Sequence, residues 1–248
     1  MQSRLKKDNS IVTEADLKVD DFIRKEILKF DSKSGILTEE SEDSKDRLAK
    51  EGVYVCDPLD GSKDFKQKEE DFCFLLAYVQ NGTPTLGVVY EPKKRRMFFG
   101  AKGDGAFMSK DAQQPKILPK LAPINWSSAI VGSPKNYEGD KYTKLYELMG
   151  IPQQRLIFSG CMGTRMMQAA MQQIQIILGY TKGLKEWDIA AGHVILEERG
   201  FSITDIFGKQ LKYNQFIPQT HQGILVVHPS VKATALEKLA QCYDKLQM

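Results

Sequence analysis

The run Cys56-Asp57-Pro58-Leu59-Asp60-Gly61-Ser62-Lys63-Asp64-Phe65 constrains this chain more than any other stretch of similar length. It follows the short apolar segment Val53-Tyr54-Val55, which reads as a strand ending at Cys56. Two aspartates are thus delivered to a strand end, flanking a proline whose fixed φ stiffens the turn. Ionised carboxylates so placed repel one another unless a cation neutralises them. The Gly61-Ser62 pair then opens a short helix whose first N–H groups can face an anion. An aspartate before proline is also ordinary turn chemistry, its side chain bonding its own backbone. Taken alone, the motif leaves both readings open.

Around it the chain organises as two halves. Residues 13–30 have Thr13 as a cap, Glu14 and Asp16 near the positive helix end, and Leu17, Ile23, Ile27 and Leu28 toward one face, which predicts a helix. A buried strand is expected over residues 35–38, and a loop or exposed helix over the charged residues 41–51. Strands at 53–56, 72–80, 85–90, 97–100 and 106–108 are separated by Asn81-Gly82, Glu91-Pro92 and Gly103-Asp104-Gly105, which predicts an antiparallel meander. The Pro-rich residues 115–123 read as a linker. Beyond it, strands at 127–132, 155–158, 174–178 and 224–227 alternate with helices at 139–149, 163–173, 188–199 and 229–246. The expected fold class is α/β, with an α+β half over residues 1–122 and an α/β half over residues 123–248 that completes a cleft.

Composition narrows the function classes. The 35 basic and 32 acidic residues leave a formal charge of +3, too little to argue for nucleic-acid binding. Lys93-Lys94-Arg95-Arg96 falls in a hairpin connection without interleaved aromatics and reads as a solvated turn. The four cysteines, Cys56, Cys73, Cys161 and Cys242, form no CxxC pair, so buried reduced thiols are expected rather than a zinc site. His193, His221 and His228 are unclustered and receive no catalytic role. The first ten residues are polar, and no apolar run approaches the roughly 18 residues that span a bilayer. A cytoplasmic protein without a membrane partner is expected.

Carboxylates also gather at Asp16, at Glu39-Glu40 after Ile36-Leu37-Thr38, and at Asp188 after Glu186-Trp187. Singly, each has a plain reading: a solvated loop pair for Glu39-Glu40, a helix cap for Asp188. Acting together, hard oxygen donors select Mg²⁺ or Mn²⁺ over zinc, and cations beside an anion-binding turn imply phosphate chemistry. In chain order, Val12-Thr13-Glu14-Ala15-Asp16, Glu39-Glu40-Ser41, Asp57-Pro58-Leu59-Asp60-Gly61-Ser62 and Trp187-Asp188-Ile189-Ala190-Ala191-Gly192 resemble the signature set of the inositol monophosphatase superfamily. Gly87-Val88-Val89-Tyr90-Glu91-Pro92 and Gly103-Asp104-Gly105-Ala106-Phe107 resemble its middle section. The resemblance implies a layered αβαβα sandwich and a Mg²⁺-dependent phosphatase. Position by position, it implies Glu40, Asp57, the Leu59 carbonyl, Asp60 and Asp188 as ligands for two or more Mg²⁺ ions, with Mn²⁺ as a substitute. It implies Asp16, Glu40 and Ser62 as catalytic residues around an attacking water. It implies Gly61 and Ser62 as the residues that hold the phosphate; Lys135, Ser159, Arg165 and Glu186 complete the substrate-binding candidates, with Arg165 equally readable as a surface or helix-start arginine.

Within the superfamily, Lys63-Asp64 before Phe65 is closer to the 3'(2'),5'-bisphosphate nucleotidase branch than to the inositol phosphatases, which tend to place Asn there. The inositol branch also carries a carboxylate where this chain has Thr181. Adenosine 3',5'-bisphosphate, hydrolysed to AMP and phosphate, is the first choice of substrate. An inositol-1-phosphate or sugar phosphatase stays open, as does a catalytically silent ligand sensor. Two segments depart from the nucleotidase pattern. Gly132-Ser133-Pro134-Lys135-Asn136 replaces a Ser-Arg-Ser-His run, and Ser159-Gly160-Cys161-Met162-Gly163 only approximates a Gly-Ser-rich loop. The expected partner is a small phosphate ester and no nucleic-acid polymer, with a homodimer left open.

Overall fold

The computed structural model describes residues 3–5, 11–135, 141–179, 184–220 and 222–246; Asn136, Thr181 and His221 lie outside them. Two short antiparallel strands, β1 (Ser3–Leu5) and β2 (Ile11–Thr13), lead into helix α1 (Glu14–Phe30). Thr13 caps that helix, its hydroxyl accepting from the Ala15 N–H while the Asp16 carboxylate reaches back to the Thr13 N–H. The cap does more than start a helix, because it fixes Asp16 at the end that points toward the later motifs.

Strands β3 (Gly35–Thr38), β4 (Gly52–Asp60), β5 (Cys73–Gln80), β6 (Thr83–Glu91), β7 (Arg96–Ala101), β8 (Gly105–Lys110) and β9 (Lys116–Ile117) form one seven-stranded sheet in sequence order. Its pairs are antiparallel except β3 with β4, which run parallel. Asn81 and Gly82 turn β5 into β6 with φ of 51° and 74°, the pair of positive angles that a tight hairpin requires. Along β5, Cys73, Leu75, Ala77 and Val79 are buried while their neighbours are half-buried, the period of two expected of a sheet with one face on the core.

A second, five-stranded sheet follows, in the order β11 (Leu156–Ser159), β10 (Val131–Pro134), β12 (Ile176–Gly179), β14 (Ile224–Val227), β13 (Ser202–Thr204). Helices α3 (Lys141–Leu148) and α6 (Lys232–Leu246) cover its outer face, where Ile176, Leu178, Leu225 and Val227 pack with Tyr142, Leu145 and Leu239. The alternate residues Ile177, Ile224 and Val226 turn inward onto α4 (Met162–Ala170) and α5 (Glu186–Glu198), which lie between the two sheets. With α1 against β4 on the far side, the layers run α, β, α, β, α. Among the described residues, no helix is long and apolar enough to cross a membrane.

Several elements differ from the sequence reading. The strand expected to stop at Cys56 continues as β4 to Asp60, its register with β5 shifting between Asp57 and Asp60. Such a bulge accommodates Pro58, which has no N–H to give the ladder. The proposed linker begins inside the first sheet, because Lys116 and Ile117 pair with β8 as its last strand. Residues 126–128 form a single 3₁₀ turn, and the strand expected at 127–132 starts at Val131. β13 was not anticipated: three residues are too few to show a period.

Helix α5 belongs to the second half in sequence, yet it packs across β4 to β8 of the first sheet. The close approach is made at Gly87, where an added Cβ would lie 2.2 Å from the Ala191 carbonyl oxygen. A side chain there must push the helix off the sheet. Gly87→Ala should cost about 2 kcal/mol through overpacking, a fall in Tm of about 4–8 °C for a chain of this length. An unchanged melting curve would contradict the close packing.

Candidate active site

The site assembles where four strand and helix ends meet. The parallel register pairs Thr38 with Cys56, and the Glu39 N–H donates to the Cys56 carbonyl at 3.2 Å. That bond carries the ladder one residue past β3 and sets Glu39 beside Asp57. Asp57 is buried, and its Oδ1 accepts the Leu59 N–H at 2.9 Å, which holds the turn around Pro58. Asp60, on the bulged end of β4, accepts the Gly163 N–H from the first turn of α4 at 2.7 Å. Asp188 sits in the first turn of α5, where it accepts the Lys185 N–H at 2.8 Å. Asp188 is therefore not the N-cap, which is Lys185, but the third residue of the helix, whose carboxylate reaches back to the cap N–H; that role does not preclude a second one.

The electrostatics bring these carboxylates together. Burial first, and then the charges of Glu39, Asp60 and Asp188, push Asp57 well above the usual carboxylate range. Burial, Asp60 and Glu39 do the same to Asp188, against the pull of the Lys185 N–H. Asp60 rises from its ordinary 3.8 to about 6, mainly through burial, with the Gly163 N–H and the Arg165 guanidinium pulling the other way. Four carboxylates from three elements, the end of β3, the end of β4 and the start of α5, thus share one electrostatic environment. All the donors are hard oxygens, the set that suits Mg²⁺ or Mn²⁺.

Glu39 was not in the sequence-based set, and Glu40 was. Glu39 raises all three aspartates. The signal that could have found it is the parallel register of β3 and β4, which no spacing in the sequence reveals. Beside this cluster, Ser62 donates to Asp16 Oδ1 at 2.7 Å and lies 3.0 Å from the Leu59 carbonyl oxygen. Asp16 Oδ2 is held by the Thr13 N–H and hydroxyl. The structure therefore brings Asp16, Ser62 and Leu59 into one hydrogen-bonded group. Gly61 has φ of +96°, and a Cβ there would meet the Asp71 carbonyl oxygen at 2.6 Å, so the turn before Ser62 needs glycine.

Most of the rest of the substrate-binding set is committed elsewhere. Lys135 makes ion pairs with Asp71 at 2.6 Å, Glu69 at 2.8 Å and Asp64 at 3.6 Å. Desolvation alone would lower its pKa, but its bonds to Asp71 and Glu69 hold the ammonium above the usual lysine range. Glu186 is buried and accepts the Asn214 and Gln215 N–H groups at 2.7 and 2.9 Å, so it anchors a loop. Arg165 is neither a surface side chain nor a free cation: it is buried, bonds the Cys161 carbonyl and tempers Asp60. Ser159 is buried, and its hydroxyl has no partner among the described residues. His193 bonds Tyr213 in the core, and burial lowers it to about 4.

Comparison with known proteins gives a consistent result. The model of the inositol monophosphatase family matches residues 1–244. The chain is 31% identical over 201 residues to a fructose-1,6-bisphosphatase/inositol-1-monophosphatase of Thermotoga maritima, covering 81% of this chain and 73% of that protein. It is 28% identical to a 3'(2'),5'-bisphosphate nucleotidase CysQ of Aggregatibacter actinomycetemcomitans, over 86% of this chain and 78% of the other. An IMPase/NADP phosphatase solved with Mg²⁺ and phosphate shares the fold with a TM-score of 0.80 at 20% identity, over 96% of this chain and 85% of its own.

The raised carboxylates have a consequence for stability. Asp60 is protonated more readily in the folded chain than in the unfolded one, so the folded chain holds extra protons between its ordinary pKa of 3.8 and about 6. Its contribution is present in full below that window and is lost as the pH rises through it. A divalent cation held by the cluster would restore what the rise in pH removes. Mg²⁺ should therefore raise Tm more at about pH 7.5 than at about pH 5. Equal shifts at both, or none at either, would contradict the shared cluster.

Proposed function

The chain belongs to the inositol monophosphatase family of phosphomonoesterases, and we propose that it hydrolyses its ester with Mg²⁺ held by Glu39, Asp57, Asp60, Asp188 and the Leu59 carbonyl. The observation that carries this reading is the mutual elevation of the carboxylates, which calls for neutralisation by a cation. Four negative charges exceed what one dication offsets, so two or more ions fit, and Mn²⁺ satisfies the same donors. The proposal gives Glu39 the ligand role first assigned to Glu40, because Glu39 is the residue beside Asp57. When bound, Mg²⁺ supplies Lewis acidity that makes a water nucleophilic near neutral pH and stabilises the departing oxygen.

The chain's own residues do the rest. Asp16 takes the Ser62 hydroxyl proton as a hydrogen bond, which leaves the Ser62 oxygen to accept one from the attacking water. The water is thereby oriented toward phosphorus. The Gly61 and Ser62 N–H groups, at the turn into α2 (Ser62–Lys66), hold the phosphate oxygens. Lys63 follows directly and is exposed. The proposal gives Lys63 the task of meeting a second phosphate, because Lys135 is held by three carboxylates. This supports adenosine 3',5'-bisphosphate as the preferred substrate. The engagement of Lys135 favours the alternative, a monophosphate such as inositol 1-phosphate, because it withdraws the cation at the head of the second half.

Phosphate release with Mg²⁺ from adenosine 3',5'-bisphosphate, inositol 1-phosphate and fructose 1,6-bisphosphate separates these substrates. The nucleotide should have the highest kcat/KM, and Lys63→Ala should raise its KM more than that of inositol 1-phosphate. A preference for inositol 1-phosphate overturns the nucleotide reading, and no turnover of any ester overturns the enzymatic one. Glu39→Gln should lower kcat/KM at least about 100-fold, and Glu40→Gln less than about tenfold. The reverse order would return the ligand role to Glu40.

A further inference from the structure

Two cysteines that are far apart in sequence meet beside Asp60. Cys73 begins β5 and Cys161 precedes α4, and their sulfurs stand 3.8 Å apart, both buried and unpaired. Asp60 Oδ2 lies 4.0 Å from the Cys73 sulfur, and the three atoms are all within 4.8 Å of one another. Two thiolates on one tetrahedral Zn²⁺, each at about 2.3 Å, are separated by about 3.8 Å, and a carboxylate oxygen completing the set stands about 3.5 Å from each sulfur. The sulfur pair already has that spacing, and the carboxylate is about half an ångström too far from Cys73 and within 4.8 Å of Cys161.

The surroundings are those of a built site. Gly163 donates its N–H to Asp60, and a Cβ on it would lie 2.4 Å from the Cys73 sulfur, so glycine lets helix and sulfur close up. The buried Thr164 hydroxyl is 3.1 Å from the Cys161 sulfur and can donate to it as a thiolate. The Arg165 guanidinium acts on Asp60 and offsets the single negative charge left when two thiolates and a carboxylate bind a dication. Asp60 is only partly buried, so the group is not sealed from solvent.

We propose that Asp60, Cys73 and Cys161 form a second metal site, selective for thiophilic dications such as Zn²⁺ or Cd²⁺, with a water from the cleft as fourth ligand. Binding replaces two S–H bonds with two metal–sulfur bonds and releases both protons to solvent. Because Asp60 also belongs to the carboxylate cluster, occupation by Zn²⁺ draws it away and inhibits. That consequence rests on the phosphatase reading; the site itself does not.

Titration with Cd²⁺ in excess Mg²⁺ and a non-thiol reductant, without substrate, should produce an ultraviolet thiolate-to-metal band that saturates at one equivalent. Cys73→Ala and Cys161→Ala should each abolish it. No band, or one that persists in both variants, overturns the site. X-ray absorption on the wild-type Zn²⁺ protein needs no variant: two sulfurs at about 2.3 Å are expected, and a shell of oxygen alone overturns it. In turnover assays each variant, read against its own zinc-free rate, should resist Zn²⁺ at least about 100-fold better than wild type. Equal sensitivity would put inhibition on the carboxylates and overturn the proposed consequence.

Discussion

Repulsion among Glu39, Asp57, Asp60 and Asp188 is the constraint to which the rest of this structure answers. Left alone, such a cluster would spread apart or take up protons, and burial with mutual repulsion raises the aspartates toward the second response. Holding the groups together requires stiff supports. β4 delivers Asp57 and Asp60 across a bulge, the parallel β3 sets Glu39 alongside, and the first turns of α4 and α5 reach in with Gly163 and Asp188. Each aspartate accepts a backbone N–H, so each is oriented before any cation arrives.

Those supports come from both halves of the chain, so the halves have to be locked. Two devices do this. Helix α5 seats on β6 at Gly87 with no room for a side chain. At the other rim, Lys135 at the end of β10 pairs with Asp64, Glu69 and Asp71 from the segment between β4 and β5. Gly160 joins the same contact: its N–H reaches Asp71 at 3.3 Å, and a Cβ on it would sit 2.1 Å from an Asp64 oxygen. The Lys63-Asp64 pair that marked the nucleotidase branch thus divides its labour, with Asp64 in the lock and Lys63 on the surface.

The sequence made much of this legible. Hairpin turns such as Asn81-Gly82, the capped α1 and the long strands of the first sheet are local features, set by neighbouring residues. The acidic motifs were visible too, because carboxylates at strand ends are chemically conspicuous. What escaped was set by partners remote in sequence. Glu39 and Glu40 are indistinguishable until β3 finds its register on β4. Arg165, Lys135 and Glu186 look like charges for a ligand until Asp60, Asp71 and the 214–215 backbone take them. Cys73 and Cys161, unremarkable by spacing, meet because β5 and α4 share a core.

The central claim is that a divalent cation joins the four carboxylates. A crystal soaked in Mn²⁺ and mapped by anomalous scattering tests it most directly. The account predicts anomalous density bounded by Glu39, Asp57, Asp60 and Asp188, with the Leu59 carbonyl in contact. A map without density among those side chains at saturating Mn²⁺ would contradict it.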